Sequence, residues 1–476
     1  MKDYGKYFKK PSLKDARKRV EDTGYIDFTL ADKYKLLGEG KKYFIQTYGC
    51  QGNEADSERM AGILEAMGFC SADIQDDADI ILVNTCAVRD NAENRAFGEM
   101  GRLKKFKKTN PDLLLGICGC MPQEENVVNR LLEKYPYIDL IFGTHNIYKL
   151  PEYVQSAYLS KERVVEVFSH EGNIVENIPT IRENEHKAWI NIMYGCDEFC
   201  TYCIVPYTRG SERSRDKDSI ISEVKKLVSS GYKEITLLGQ NVNAYGQDFD
   251  DEYSFASLLR DLDKTGIDRI RFTTSHPRDL TIHTINAMAE CNSVMNHIHL
   301  PVQSGSDEIL NKMNRKYTRD DYLKLVHKLR EAMPDISITT DIIVGFPNES
   351  DSDFQDTLTL VEEAGFEGAF TFIYSKREGT PAAKYEDTVS NEIKKNRLNK
   401  LIDKVNTMYL KGNKRFENKI VKVLADSVSK NDDSVLSGYS EHNKLVNFKG
   451  SKSQIGNIVE VYITEAKTWH MIGEVK

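Results

Sequence analysis

The chain has 476 residues, with 65 Lys and Arg against 73 Asp and Glu, and 40% of its residues are hydrophobic. This length suggests about three domains, and the composition excludes bulk disorder. A net charge of −8 excludes a protein that coats nucleic acid nonspecifically, because backbone binding needs an excess of Lys and Arg.

Residues 1–42 read as an N-terminal extension, with eight Lys and Arg among the first twenty positions. No apolar stretch follows the charged start, so export is not expected. The longest apolar runs, residues 80–83 and 113–118, are far short of the roughly 20 residues of a bilayer span. A cytoplasmic location without a membrane partner is the expectation. Nine cysteines, an odd number, make a poor disulfide framework in such a compartment and point instead to metal or cluster ligation.

From 43 to 153, short apolar runs (43–46, 80–83, 113–117, 140–142) alternate with helical spacing such as Met60, Leu64 and Met67. Strand and helix in alternation predict a parallel α/β domain. Residues 154–186 hold one strand-like run and then turn polar, and read as a linker. From 187 to 415, six apolar runs each end in small or polar residues, which predicts a partial (β/α)6 TIM-like barrel with its pocket at the carboxyl ends of the strands. A Lys-rich helix closes that domain. Residues 416–476 contain three short β-like runs and suit a small OB-like β-barrel. The fold class expected is a multidomain α/β chain of these three parts.

The strongest chemical signal is Cys196, Cys200 and Cys203, a C-x3-C-x2-C run just after the first barrel strand. Three thiolates can hold three irons of a four-iron cluster, leaving the fourth open to a small molecule. A structural zinc site would want a fourth protein ligand nearby, and none is obvious. A second group is Cys50, Cys86 and Cys120, each after a predicted parallel strand and therefore at one carboxyl edge, where open α/β sheets place ligands. By spacing alone these three can equally be core cysteines. Cys118 precedes Cys120 by two residues, so on an extended strand either thiol can face iron. Cys70 and Cys291 lie outside every motif and read as structural.

The Cys196 run at the head of a six-unit barrel resembles the radical S-adenosylmethionine superfamily. The sequences around Cys50 (Gln46 to Gln51), Cys86 (Val83 to Arg89) and Cys120 (Gly119 to Met121) resemble the three ligand motifs of the methylthiotransferase family, followed here by a terminal barrel like the TRAM RNA-binding domain. The resemblance covers about residues 43–476, and the run from Tyr194 to Arg215, with residues 271–277 and 299–306, is most similar to the branch that acts on N6-isopentenyladenosine of tRNA. Gly52 stands where the family often carries Met, at a position that is not a ligand.

This resemblance implies two 4Fe-4S clusters, an auxiliary one on Cys50, Cys86 and Cys120 and a radical-generating one on Cys196, Cys200 and Cys203, with S-adenosylmethionine as methyl donor and radical source. It selects Cys120 over Cys118. The implied substrate is C2 of isopentenyladenosine in a tRNA anticodon stem-loop, and the implied partners are a flavodoxin- or ferredoxin-type electron donor and a sulfur source, with the chain a monomer. Sister enzymes acting on threonylcarbamoyladenosine or on a ribosomal-protein aspartate stay open, as does an RNA-binding iron–sulfur sensor without turnover.

For the cofactor, the barrel-end groups Gln240, Asn241, Ser275, Gln303 and Asp341 are candidates to meet its polar groups, and Gly345 to allow close approach of the adenine. Basic groups stand out at 102–108 and at 377–415, and Arg209, Arg213 and Arg215 are candidates for RNA phosphates at the barrel mouth.

Overall fold

A computed structural model describes residues 24–87, 90–167, 173–429 and 432–476. Two compact units divide the chain: Met1–Glu183 with Met193–Phe199 and Cys203–Ser219, and Asn184–Ile192 with Cys200–Tyr202 and Ile220–Lys476.

The first unit is organised by a six-stranded parallel sheet in the spatial order Cys70–Ser71, Lys42–Tyr48, Ile80–Thr85, Leu114–Gly119, Leu140–Phe142, Val164–Glu166. Every residue of Ile80–Thr85 and Leu114–Gly119 is buried, as parallel strands covered on both faces must be. Met60, Ile63 and Leu64 of the helix Gln51–Ala66 cover one face together with Leu150 and Val154 of Leu150–Ser160. Phe97, Met100 and Leu103 of Asp90–Thr109 cover the other with Val127 and Leu131 of Glu125–Lys134. Tyr48 pairs with Thr85, and Thr85 with Gly119, so three neighbouring strands end level with one another.

Two readings of this region change. The strand-like run of 154–186 is the sixth strand of the sheet, and the polar stretch expected to be linker holds a further strand, Ile174–Glu176, whose parallel partner is Tyr25–Asp27. Val165, Val167 and Ile174 are buried, which is why a short polar-flanked run belongs to the core. Tyr34, in the supposed extension, is buried as well; residues 1–23 lie outside the described residues.

In the second unit the strands Lys187–Asn191, Glu234–Leu238 and Arg269–Phe272 pair in parallel, as do His297–His299, Ser337–Val344 and Ala369–Ile373. A parallel bridge between Ile270 and Val294 joins the two groups. Six parallel strands in chain order, each followed by helix, make an open (β/α)6 barrel. Several helices open on a side-chain cap: Ser306, Thr318, Ser350 and Ser390 each accept a backbone amide of the first turn, filling a donor the helix start leaves free.

The C-terminal strands close a five-stranded barrel in the order Ile420–Ser429, Asp432–Ser440, Leu445–Lys449, Met471–Val475, Ile458–Ala466. Val423, Leu436, Val446, Val461, Ile463 and Met471 fill it. Two of these strands were invisible in sequence, because Asp432–Ser440 is mostly polar and Met471–Val475 is short. This barrel is fastened to the amino ends of the parallel strands. Arg269 donates to the carbonyls of Tyr439 and Lys422 at 2.9 and 2.8 Å, Lys187 meets Asp426 at 2.7 Å, and the buried Lys444 meets Glu367 at 3.0 Å. The carboxyl ends are thereby left to the loops that carry the candidate residues.

Candidate cluster and cofactor sites

Cys50, Cys86 and Cys120 leave one edge of the first unit's sheet. The Cys86 amide donates to the Tyr48 carbonyl at 3.0 Å and the Cys120 amide to the Thr85 carbonyl at 2.8 Å, so each cysteine is pinned to the end of the strand before it. The Cys50 amide donates to Oδ1 of Asn53 at 3.3 Å. Asn53 in turn donates to Oδ1 of Asn84 at 3.1 Å and to the Thr85 carbonyl at 3.2 Å. Asn53 and Asn84 are fully buried, and buried amides with satisfied partners fix backbone geometry.

The thiols are close enough to interact. A hydrogen bond with Cys86 holds the Cys50 thiol well below its ordinary range, helped by the Arg209 charge and opposed by burial. Cys120 is pushed up by burial, with Arg209 opposing. Cys50 also begins the helix Gln51–Ala66, whose N-terminal dipole favours a thiolate. Three adjacent thiols on rigid strand ends, facing an arginine, are a donor set that fits an iron–sulfur cluster with three protein ligands.

Cys118 has a different setting. It lies within the strand, packed 3.6 Å from Sδ of Met60, and burial raises its pKa. Strand geometry ends at Gly119, whose φ is +98°, so positions 118 and 120 do not share a face as two residues of one extended strand would.

Cys196, Cys200 and Cys203 lie on the loop between Met193–Tyr194 and the short helix Val205–Arg209; Cys196 and Cys200 are buried and Cys203 is half-buried. Nη1 of Arg315 lies 3.2 Å from Sγ of Cys200. Arg315 is itself buried and held by the Pro301 carbonyl at 2.9 Å and the Tyr317 hydroxyl at 2.7 Å. No pattern in the sequence pointed to Arg315, which follows the cysteine run by more than a hundred residues.

The barrel-end candidates occupy the carboxyl side of the second unit. Ser275 and Gln303 are buried, and Oγ of the first and Oε1 of the second have no hydrogen-bond partner among the described residues. Gln303 has φ +74° and bridges Ile342 in parallel. Nε2 of His299 lies 3.3 Å from Oδ1 of Asp341. Gln240 is half-buried, whereas the buried Asn241 gives its amide to Asp279 at 2.6 Å. Gly345 has φ +69°, and a Cβ there would come within 2.4 Å of Cγ of Lys394, so the protein's own side chain fills the space beside it.

The three arginines expected at RNA phosphates are interior residues. Arg209 donates through Nε to Sγ of Cys120 at 3.1 Å and through Nη2 to Asp56 at 2.8 Å. Arg215 grips Glu176 with two nitrogens, at 3.0 and 2.5 Å. Arg213 is buried over the ring of Tyr194. The charges of Arg209 and Arg215 therefore meet a thiol and carboxylates of the protein, which sequence position could not distinguish from a phosphate site. The exposed basic residues of the segments noted in sequence are Arg102, Lys104, Lys105 and Lys108, and Lys384, Lys395, Lys400, Lys411 and Lys414; Lys394 and Arg397 are buried in ion pairs.

Comparison with known proteins matches residues 42–143 to the uncharacterized protein family UPF0004, 190–361 to the radical SAM superfamily and 414–476 to the TRAM domain. A tRNA-2-methylthio-N6-dimethylallyladenosine synthase of Bacillus subtilis (strain 168) is 58% identical over 480 residues, covering 99% of this chain and 94% of that one. The synthase of Oceanobacillus iheyensis is 59% identical over 466 residues, 97% of this chain and 90% of the other. The chain belongs to this synthase family.

Among solved structures, a radical S-adenosylmethionine methyltransferase, TsrM, from Kitasatospora setae matches with a TM-score of 0.54 at 13% identity, over 72% of this chain and 74% of that one. At that identity the likeness is one of fold. Family membership carries radical S-adenosylmethionine chemistry with iron–sulfur clusters, and the placement of Cys50, Cys86 and Cys120 at adjacent strand ends suits a cluster. Among the described residues no helix is long and apolar enough to cross a membrane.

Proposed function

We propose that this protein is a methylthiotransferase that replaces the C2 hydrogen of N6-isopentenyladenosine, at position 37 of tRNA, with a methylthio group. The observation that carries the reading is near-full-length identity to synthases of that name, joined to three cysteines at adjacent strand ends and three more on a C-x3-C-x2-C loop.

Cys50, Cys86 and Cys120 would hold the auxiliary cluster, and Cys196, Cys200 and Cys203 the cluster that meets S-adenosylmethionine. When bound, the second supplies the electron for reductive cleavage of S-adenosylmethionine and the first carries the sulfur to be transferred. The chain's own part is to hold and orient. Parallel strand ends fix the first trio, and Arg209 and Arg315 set a buried positive charge against one thiol of each. Ser275 and Gln303 present unused oxygens, beside Gln240 and Asp341, where amino, carboxylate and ribose groups of S-adenosylmethionine need partners; the space beside Gly345, the candidate for close approach of the adenine, is taken by Lys394. Asn241 stiffens that rim through Asp279.

The target base must leave its stack, which costs little in a single-stranded loop; an anticodon stem-loop meets that condition. The TRAM barrel and exposed lysines supply affinity through backbone contacts. A flavodoxin- or ferredoxin-type donor delivers electrons and a separate source delivers sulfur, to a monomer in the cytoplasm.

Mass spectrometry of tRNA nucleosides from cells with and without the gene tests this reading. Its loss should remove the methylthio nucleoside and leave isopentenyladenosine in its place. Unchanged methylthio-isopentenyladenosine with loss of a methylthiolated threonylcarbamoyladenosine would transfer the activity to the sister branch. Full-length protein that is reduced and reconstituted yet makes no deoxyadenosine would favour a sensor.

A further inference from the structure

Each cysteine trio has one thiol within hydrogen-bond reach of a buried guanidinium: Cys120 meets Nε of Arg209 at 3.1 Å and Cys200 meets Nη1 of Arg315 at 3.2 Å. The two arginines are 6% and 8% exposed. Burying a guanidinium is costly without compensation, so each must have a negative partner in the working protein. A guanidinium that donates to a thiolate sulfur favours the more negative state of whatever that sulfur ligates, because hydrogen bonds to sulfur and net charge set the potential of an iron–sulfur cluster.

The surroundings of the two differ. Arg209 is also paired with the carboxylate of Asp56 at 2.8 Å, itself buried. Arg315 turns its other nitrogens to a carbonyl and a hydroxyl, of Pro301 and Tyr317, and these are neutral. One guanidinium is thus largely neutralised at its site and the other keeps its charge.

We infer that Arg209 and Arg315 are positioning residues that set the reduction potentials of the two clusters, with Asp56 moderating the first. This rests on the assignment of Cys120 and Cys200 as ligands made above. Three consequences follow from the charges. Arg209→Gln makes the auxiliary potential more negative, and Asp56→Asn, which leaves Arg209 unneutralised, makes it less negative. Arg315→Gln shifts the other cluster further than Arg209→Gln shifts its own. Arg209→Lys, which retains the charge but not the planar fork, recovers part of the shift.

The test is a redox titration of the anaerobically reconstituted full chain, followed by electron paramagnetic resonance. Each cluster is read alone in a background where the other trio is Ala. Opposite shifts for Arg209→Gln and Asp56→Asn, with partial recovery in Arg209→Lys, are the expected result. A purely structural arginine would instead give loss of iron in Arg209→Gln with no displacement in Asp56→Asn and Arg209→Lys, and that pattern, or unchanged potentials with full iron, overturns the proposal. Failure of the ligand assignment would look different: replacing a trio by Ala would leave the iron content unaltered.

Discussion

Asn53 and Asn84 bond each other in both directions: Nδ2 of Asn53 donates to Oδ1 of Asn84 at 3.1 Å, and Nδ2 of Asn84 to the Asn53 carbonyl at 2.7 Å. The pair ties the start of the helix that carries Cys50 to the strand that carries Cys86. Asn84→Ala leaves one buried amide hydrogen of Asn53 without an acceptor, at a cost of about 1–3 kcal/mol, and removes the 2.9 Å bond from Asn84 to Oγ of Ser57. Urea unfolding should show the lost stability, and reconstitution should show less auxiliary iron. Full iron and wild-type stability would mean the pair does not organise the site.

Gly119 permits the turn that brings Cys120 out of the strand. Its φ is +98°, and a Cβ there would lie 2.3 Å from Oδ1 of Asn84 and 2.5 Å from the Thr85 carbonyl. Backbone strain and collision add, so Gly119→Ala is expected to cost several kcal/mol, opposite in sign to the gain of up to ~1 kcal/mol from an unstrained Gly-to-Ala change. Circular dichroism melts of the purified variant check this; a melt like that of the parent would contradict it.

Arg215 and Glu176 form a buried two-point ion pair. Arg215→Gln should destabilise the fold, in the range of about 3–5 kcal/mol for breaking such a pair, without changing how RNA affinity depends on salt. Binding of an anticodon stem-loop at several salt concentrations gives the slope. A slope reduced by about one unit would return Arg215 to the phosphate contacts.

Much of the architecture was legible because it depends on local periodicity. Fully buried runs such as Ile80–Thr85 read as parallel strands, and cysteines just beyond their ends had to converge on one sheet edge. The partial (β/α)6 barrel and the small terminal barrel were legible on the same grounds. What escaped were features decided by tertiary contacts. Arg209 and Arg215 look like phosphate binders until Asp56, Cys120 and Glu176 are seen beside them. Arg315 carries no local mark, since its partner Cys200 is remote in sequence. Ile174–Glu176 is a strand only because Tyr25–Asp27 pairs with it, and Met471–Val475 is too short to announce itself.

His442 is buried against Phe416, with ring centroids 4.7 Å apart, and neither ring nitrogen has a partner among the described residues. Burial lowers its pKa from 6.5 to about 4, aided by the nearby Arg415 and Lys444 and opposed by Glu367 and Asp335. The folded state therefore keeps the ring neutral while the unfolded chain takes up a proton. Its contribution is complete above about pH 6.5 and declines as pH falls toward 4, by up to about 1.4 kcal/mol per pH unit. His442→Phe should match the parent near pH 7 and show a shallower loss between pH 6.5 and 4 in urea unfolding. An unchanged slope would exclude His442 as a source of acid sensitivity.

The most direct measurement is iron per chain after anaerobic reconstitution. The parent protein should hold about eight irons, two four-iron clusters. Replacing Cys50, Cys86 and Cys120 together by Ala should leave about four, and so should replacing Cys196, Cys200 and Cys203. Four irons in the parent, or a full complement after either replacement, would contradict two independent cysteine-held clusters.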